Sequence, residues 1–320
     1  MEQNIGSYFE TIVIPASGEQ HPQLAEQMSI IVLGSQGLGI ADHLSDLEAA
    51  VYLDDPLWRE QGGQLQLLLN QLLQATCPCR LAGSVIAVWP RSWLLGGNTA
   101  ALLSDDAHLI WEALSIEELF TVQENLIVWD PSGFLAGVRA ATVPSRYPTW
   151  LWKKRLLVAL KALLEDFSEF TLAVKRRHDA EAYILFGELL GTLLRIGFVI
   201  NRQYYPWRTH LSWAFARLPQ PTAALLTQVD RIVKAAGWEE KVAATKQMIS
   251  SYRELMADTA VLPAIDLGSG DLAEELVWAE RLKAWENPTW REWIKHCQQK
   301  AVRDGYDPGE FWVWSLWGWE

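Results

Sequence analysis

The stretch IIVLGSQGLGIADHLSDLEAAVYL, residues 30–53, decides how the whole chain is interpreted. It begins with an apolar run, Ile30–Leu33, that is too short for a helix and is typical of a buried strand. Gly34 and Ser35 follow as in a turn, and a second apolar run begins at Asp46. The stretch therefore predicts a strand, a turn with a loop, and a second strand.

The second strand opens with Asp46-Leu47-Glu48. Because side chains alternate along a strand, Asp46 and Glu48 point to one side while Leu47 points to the core. Two neighbouring carboxylates repel each other unless a cation lies between them. Mg²⁺ prefers one or two carboxylates and completes its shell with waters and phosphate oxygens. The acid pair therefore predicts a site for one or two magnesium ions.

The glycines from Gly34 to Gly39 could belong to several kinds of nucleotide-binding loop. The segment lacks the Lys-Ser/Thr ending of a P-loop, and the acid pair follows too closely for the ribose-binding acid of a dinucleotide fold. We interpret Gly34 and Ser35 as a turn whose amides and hydroxyl bind the terminal phosphate oxygens of a nucleotide. A plain turn at the end of a strand is the alternative.

A Gly-Ser turn followed by an acid-hydrophobic-acid strand resembles the DNA polymerase β-like nucleotidyltransferase superfamily. The matching residues are Gly34, Ser35, Asp46 and Glu48 and, toward the branch with aminoglycoside and lincosamide nucleotidyltransferases, Gly39, Asp42 and Ser45. The resemblance implies transfer of a nucleoside monophosphate, with ATP as donor, to a hydroxyl of a small molecule. Glu48 departs from the Asp-x-Asp form of the motif. Because of this departure, an alternative remains: the chain could be a catalytically weak relative that binds a nucleotide or a protein partner, as in toxin–antitoxin modules.

The superfamily places a third carboxylate on a strand beside the acid pair. We predict a strand over Ala107–Leu114, where Glu112 stands among apolar neighbours. Glu112 would be a metal ligand or the general base that takes the proton of the attacking hydroxyl; a solvent-facing strand residue is the alternative. Asp130 competes for this role, but it precedes Pro131-Ser132-Gly133, so we interpret it as a turn-capping residue.

The pattern of elements predicts an α+β fold. Residues 1–140 would form a small mixed β-sheet nucleotidyltransferase domain, with a further strand over Ser84–Trp89. Residues 141–320 would form an all-α domain that binds the substrate, since apolar residues recur at helical spacing after Pro148.

Three residues near the end of a predicted helix are candidate nucleotide ligands: Arg202, Tyr205 and Arg208. Guanidinium groups bind phosphates, and aromatic rings stack on bases. A solvated helix end with core tyrosines explains the same residues. Asp179 could hold the acceptor, or it could cap the helix that follows it.

Charge is distributed unevenly along the 320 residues, whose net charge is −12. Residues 1–138 contain 3 basic and 17 acidic residues, whereas residues 139–217 hold 13 of the 27 basic residues. The acidic first half suits metal ions and an amine-bearing acceptor, while overall acidity makes nucleic acid an unlikely partner. No uninterrupted apolar run approaches the ~18 residues of a membrane span, and no signal peptide is evident at the N-terminus. These features predict a cytoplasmic protein.

Cysteine and tryptophan usage carries two further indications. Cys77-Pro78-Cys79 lacks a second Cys or His pair at a spacing suited to zinc. The chain has 18 tryptophans, and it ends in the aromatic stretch FWVWSLWGW, residues 311–319. This stretch could dock on the helical domain, line a ligand groove, or form a contact in a homodimer.

Overall fold

The computed structural model of the protein describes residues 5–20, 22–103, 110–219 and 222–258. The chain divides into two compact units, Met1–Arg146 and Tyr147–Glu320. The first unit contains a small mixed sheet with helices, and the described part of the second is helical. The α+β fold class is therefore confirmed. The division falls slightly after residue 140, because a 3₁₀ turn at Pro144–Arg146 stays with the first unit.

The described elements of the first unit are strands β1–β4, helices α1–α8 and short π- and 3₁₀-helical turns. In chain order they are α1 (Ile5–Tyr8), a π-helical turn (Phe9–Val13), α2 (Ile14–Gln20), α3 (Pro22–Ala25), β1 (Ser29–Leu33), α4 (Gly34–Gly37), β2 (Asp46–Leu53), α5 (Asp55–Thr76), β3 (Arg80–Pro90), a 3₁₀ segment (Arg91–Gly97), α6 (Thr99–Leu102), a 3₁₀ turn (Trp111–Ala113), α7 (Ile116–Glu124), β4 (Leu126–Trp129), α8 (Phe134–Ala141) and the 3₁₀ turn Pro144–Arg146.

The four strands form one sheet in the order β3-β2-β1-β4. β2 pairs antiparallel with β1 and parallel with β3, and β4 pairs antiparallel with β1. One face of the sheet packs with α5 into an apolar core. Its buried strand residues are Ile30, Val32, Leu47, Ala49, Val51, Leu53, Ile86 and Val88. Since side chains alternate, Asp46 and Glu48 project from the other face of β2.

The strand predicted over Ala107–Leu114 is wrong for the residues that the structure describes. Trp111–Ala113 forms a 3₁₀ turn, and the fourth strand of the sheet is Leu126–Trp129. Residues 104–109 lie outside the described residues. Short apolar runs in strands and in buried turns have the same composition, so periodicity does not separate them. Pairing with another strand distinguishes the two, and Leu126–Trp129 is a strand because it pairs with β1.

A glutamine side chain covers the outer edge of β3. Gln66 Nε2 donates to the Ile86 carbonyl at 2.8 Å, and Gln66 Oε1 accepts the Val88 N–H at 2.8 Å. The side-chain amide thus occupies the place of a neighbouring strand's peptide group. Unpaired edge strands invite pairing with other chains. Gln66 therefore satisfies and protects this edge.

Replacing Gln66 with alanine is expected to destabilise the first unit by about 2 kcal/mol, because two backbone groups of β3 lose their partners. Urea unfolding measures the loss, and light scattering detects new edge-to-edge association. Gln64→Ala is the matched control, since Gln64 lies exposed on the same helix. It should change stability by less than about 0.5 kcal/mol. Equal effects of the two substitutions would contradict this role of Gln66.

The described part of the second unit is built from helices α9–α13. They are α9 (Thr149–Arg176), α10 (Asp179–Ile200), a 3₁₀ turn (Arg208–His210), α11 (Leu211–Phe215), α12 (Thr222–Lys234) and α13 (Trp238–Asp258). α9 ends where Arg177 adopts a left-handed conformation, with φ of 58°, which reverses the chain into α10. The aromatic stretch at residues 311–319 lies outside the described residues, so its predicted role in a homodimer stays a prediction.

Helix α10 is long and apolar enough to cross a membrane by length and composition, and it is the one such helix among the described residues. Of its most apolar window, 44% is buried inside the protein. Gly197 of α10 lies against the rings of Phe215 and Tyr252, and the Tyr252 hydroxyl donates to the Leu193 carbonyl at 2.6 Å. A core helix of a helical domain makes such contacts.

Candidate functional site

The acid pair lies at the start of β2, beside an irregularity in the sheet. Asp46 aligns with Arg80 of β3, but Glu48 aligns with Val85, so the register shifts between the two acids. Extra residues on β3 at this point form a bulge, and bulges often lie next to active sites because they redirect side chains. Asp46 is half-buried and Glu48 is exposed.

Each carboxylate lies against a glycine with positive φ. A Cβ at Gly34, whose φ is 59°, would lie 2.7 Å from Glu48 Oε2. A Cβ at Gly83, whose φ is 92°, would overlap Asp46 Oδ2. Both positions therefore need glycine for the backbone angle and for the space that the carboxylates occupy. The Gly-Ser turn and the acid pair, predicted separately, are brought together by Glu48 and Gly34.

The sequence analysis missed Gly83. An isolated glycine inside a strand pattern indicates a bulge or a close approach of another group. Gly83 lies in AGSVIAVW, so this signal was present in the sequence.

The backbone between the two acids is held by a side chain of β3. The Leu47 N–H donates to Ser84 Oγ at 2.8 Å. This hydroxyl takes the place of a backbone acceptor where the bulge interrupts the ladder, because part-buried N–H groups require partners. Ser84 thereby fixes the segment from which Asp46 and Glu48 project.

The loop that leads into β2 is closed by Asp42. Asp42 Oδ1 accepts from the Leu44 N–H at 2.9 Å and from Ser45 Oγ at 3.1 Å. These two hydrogen bonds lower the pKa of Asp42, the Leu44 N–H having the larger effect. Asp42 and Ser45 hold the turn that delivers Asp46 to the sheet.

Glu112 does not join the acid pair. It lies in the 3₁₀ turn rather than on a strand beside β2. Across the described ranges, no group of three or more His, Cys, Asp or Glu side chains is placed to hold a metal ion. On the two strands beside β2, the residues aligned with Glu48 are Val85 of β3 and Leu33 of β1. The predicted strand position of Glu112 is therefore corrected, whereas its role as a metal ligand or general base stays a prediction.

Asp130 has the structural role that its turn sequence indicated. Its Oδ2 accepts from the Ala136 N–H at 2.9 Å, near the start of α8, and its Oδ1 accepts from Ser29 Oγ at 2.6 Å. The carboxylate thus ties the turn to β1 and to the first turn of α8. The interpretation of Asp130 as a capping residue is confirmed.

Four predicted ligand residues belong to the second unit. Arg202 and Arg208 are exposed, and Arg202 has a φ of 50°, where α10 has ended. Tyr205 is half-buried, with the Arg195 guanidinium 5.8 Å from its ring centroid. The two arginines and Tyr205 thus lie along one short segment after α10.

Asp179, the fourth of these residues, is the first residue of α10, and its Oδ1 accepts from Trp238 Nε1 at 3.0 Å. This bond joins α10 to α13. The bond gives Asp179 a structural role that differs from the predicted helix cap, and its role in binding an acceptor stays a prediction.

Three comparisons with known proteins complete the description. Residues 111–213 match a family described as a domain of unknown function, DUF4037. A crystal structure of a nucleotidyltransferase-like protein from Exiguobacterium sibiricum is similar over 94% of this chain and 92% of that chain, with 13% sequence identity and a TM-score of 0.39. No curated protein matches the chain. The match to the domain of unknown function covers less than half of the chain and begins after the acid pair, so it includes neither Asp46 nor Glu48.

Proposed function

We propose that the first unit binds a nucleoside triphosphate with Mg²⁺ and transfers its nucleoside monophosphate to a hydroxyl of a small molecule, releasing pyrophosphate. ATP is the donor that the resemblance implies. An acceptor that carries amines, such as an aminoglycoside, fits the excess of acids in residues 1–138. The proposed location is the cytoplasm, and nucleic acid is not among the proposed partners.

The contact between Glu48 and Gly34 carries the proposal. It places a carboxylate of the acid pair directly against the turn whose amides and Ser35 hydroxyl would hold phosphate oxygens. A phosphate chain and a divalent ion must lie within one coordination shell of each other. The Gly-Ser turn and the acid pair meet at this contact, as a coordination shell that includes phosphate oxygens requires.

The donor set fits magnesium. Asp46 and Glu48 supply two hard carboxylate groups on one side of β2, and Mg²⁺ is commonly bound by one or two carboxylates while it keeps several waters. Softer metals prefer thiolate or imidazole ligands. When bound, the ion would neutralise charge that develops on the phosphate oxygens.

The chain's own residues would orient the reactants. Gly34 and Ser35 would hold the leaving phosphates, and Asp46 and Glu48 would hold the magnesium ion that accompanies the triphosphate. The acceptor hydroxyl would attack the α-phosphorus in line, its P–O bond forming as the bond to the pyrophosphate oxygen breaks. Residues 1–138 contain no lysine and only three arginines, so most of the positive charge at the triphosphate would come from bound cations or from other parts of the chain. Arg202, Tyr205 and Arg208 remain candidates for nucleotide binding.

One observation favours the second candidate, a protein that binds a nucleotide or a protein partner with little or no turnover. The strands on either side of β2 present Val85 and Leu33, rather than an acid, next to Glu48. A two-carboxylate site suffices to bind a magnesium–nucleotide complex, whereas a third carboxylate would assist deprotonation of the acceptor.

The test measures binding and turnover separately. Calorimetry with a non-hydrolysable ATP analogue should show binding that requires Mg²⁺ and disappears with chelator. Incubation with labelled nucleoside triphosphates, Mg²⁺ and a panel of hydroxyl-bearing amines should release pyrophosphate. Asp46→Asn is expected to weaken binding and reduce release by about 100-fold, because it removes one metal ligand.

Glu60→Gln is the matched control. Glu60 is an exposed carboxylate on α5, and α5 packs on the face of the sheet opposite to the acid pair. Its removal should therefore change neither nucleotide binding nor pyrophosphate release. Metal-dependent binding without pyrophosphate for any acceptor would favour the second candidate. Asp46→Asn protein that matches the wild type in both assays would refute the metal assignment.

A further inference from the structure

Two thiols face each other between α5 and β3. Cys77 Sγ and Cys79 Sγ lie 3.7 Å apart, and both cysteines are half-buried. The chain bends at Pro78, which directs the two side chains to the same side. A disulfide needs an S–S distance of about 2.05 Å. The two sulfur atoms are thus adjacent and reachable by small solutes, and a small movement would join them.

Both thiols contact the hydroxyl that supports the acid pair. Ser84 Oγ lies 3.8 Å from Cys77 Sγ and 3.9 Å from Cys79 Sγ. The same oxygen accepts the Leu47 N–H at 2.8 Å, between the two acids. The chain of contacts therefore runs from the thiols through one hydroxyl to the backbone of the proposed metal site.

We propose that Cys77 and Cys79 form a reversible disulfide that weakens binding at the acid pair by releasing Ser84 from the position that holds Leu47. The second half of this statement rests on the proposed function. The oxidant is a small-molecule disulfide such as oxidised glutathione. One cysteine thiolate attacks it and releases one glutathione thiolate, and the other cysteine then displaces the second. In sum, a dithiol and a disulfide become a protein disulfide and two glutathione thiols.

A ring closed across a single residue is strained. Strained disulfides have higher reduction potentials and are the labile, regulatory ones. The bond should therefore form under oxidising conditions and open again when glutathione is mostly reduced. Closing it removes the thiol proton that Cys77 Sγ donates to Ser84 Oγ, so the serine hydroxyl loses one of the contacts that fix its position. The Leu47 N–H then loses a well-placed acceptor, and the start of β2 loosens.

The first test counts thiols in the intact chain. The protein is equilibrated with glutathione at increasing fractions of the oxidised form, and free thiols are then alkylated. The masses of the tryptic peptides are measured by mass spectrometry. Residues 60–80 form one tryptic peptide that contains both cysteines. We expect this peptide to escape alkylation and to be lighter by two hydrogen atoms, reversibly. Glutathione adducts on both cysteines, or a bond from either one to Cys297, would overturn the proposal.

The second test reads the effect on β2 without relying on catalysis. Hydrogen exchange at the Leu47 and Glu48 amides should become about tenfold faster on oxidation, as expected when one hydrogen bond is lost. Cys77→Ser protein should show equal exchange under both conditions. Unchanged protection in the oxidised wild type would refute the coupling through Ser84.

The third test measures binding of the magnesium–nucleotide complex in both redox states. We expect about tenfold weaker binding after oxidation, and no redox effect in Cys77→Ser protein. Equal affinity of the two states would refute the regulatory part. Absence of metal-dependent binding in the reduced protein would instead refute the proposed function. In that case the thiol count would still show whether the disulfide forms, and the exchange rates would still show whether it affects β2.

Discussion

Gly37→Ala is expected to destabilise the first unit by about 3 kcal/mol, which corresponds to a fall in its Tm of about 10 °C. Gly37 ends α4, where it is buried. A Cβ there would overlap the carbonyl oxygen of Val32 and Oδ1 of Asn125. Val32 lies in β1 between two partner strands, so its backbone cannot move aside without disturbing both pairings.

Hydrogen exchange of peptides from β1 and α5, followed through urea, measures this loss in the first unit separately from the second. Gly63→Ala provides the control. Gly63 lies inside α5, and a Cβ there would meet nothing within 4 Å. Alanine should therefore stabilise that helix by about 0.5–1 kcal/mol. If Gly37→Ala stabilised the first unit as Gly63→Ala is expected to do, the close approach at Gly37 would be disproved.

Gly197→Ala is expected to cost the second unit about 3 kcal/mol. A Cβ at Gly197 would overlap the ring of Phe215 and lie 3.2 Å from the Tyr252 hydroxyl. Both rings are fully buried, with 0% of their surface exposed, so neither can turn toward solvent. The helices α10, α11 and α13 would have to separate to accept one methyl group.

The same helix offers a control at Gly187, where a Cβ would meet nothing within 4 Å. Gly187→Ala should raise stability by about 0.5–1 kcal/mol, because alanine has the higher helix propensity. Exchange protection of α10 amides distinguishes the two variants. A neutral Gly197→Ala variant would mean that α10 does not approach α11 and α13 as closely as described.

The sequence was informative where local chemistry decides the structure. The alternation of Asp46, Leu47 and Glu48 gives the strand and its polar face, because a period of two follows from the backbone alone. Asp130 was assigned correctly as a capping residue, since its turn sequence has a local cause. The Gly-Ser turn was located for the same reason.

Other features depended on contacts between distant segments. The fourth strand is Leu126–Trp129 because it pairs with β1. Nothing in the composition of Ala107–Leu114 revealed that Trp111–Ala113 forms a 3₁₀ turn instead of a strand. The hydrogen bond from Trp238 to Asp179 crosses two helices, so a helix-start aspartate and a ligand aspartate looked alike in the sequence.

By itself, the sequence determined the α+β class, the first two strands with the acid pair between a glycine turn and an apolar core, and the helices of the described part of the second unit. These features follow from periodicity and turn chemistry, which act over a few residues. Only the tertiary structure decided that Gly83 and Gly34 lie against Asp46 and Glu48, that Ser84 holds the backbone between the acids, and that Glu112 lies in a 3₁₀ turn instead of a strand. Each of these depends on which strands pair and in what register, and pairing energies are shared between segments that are far apart in the chain.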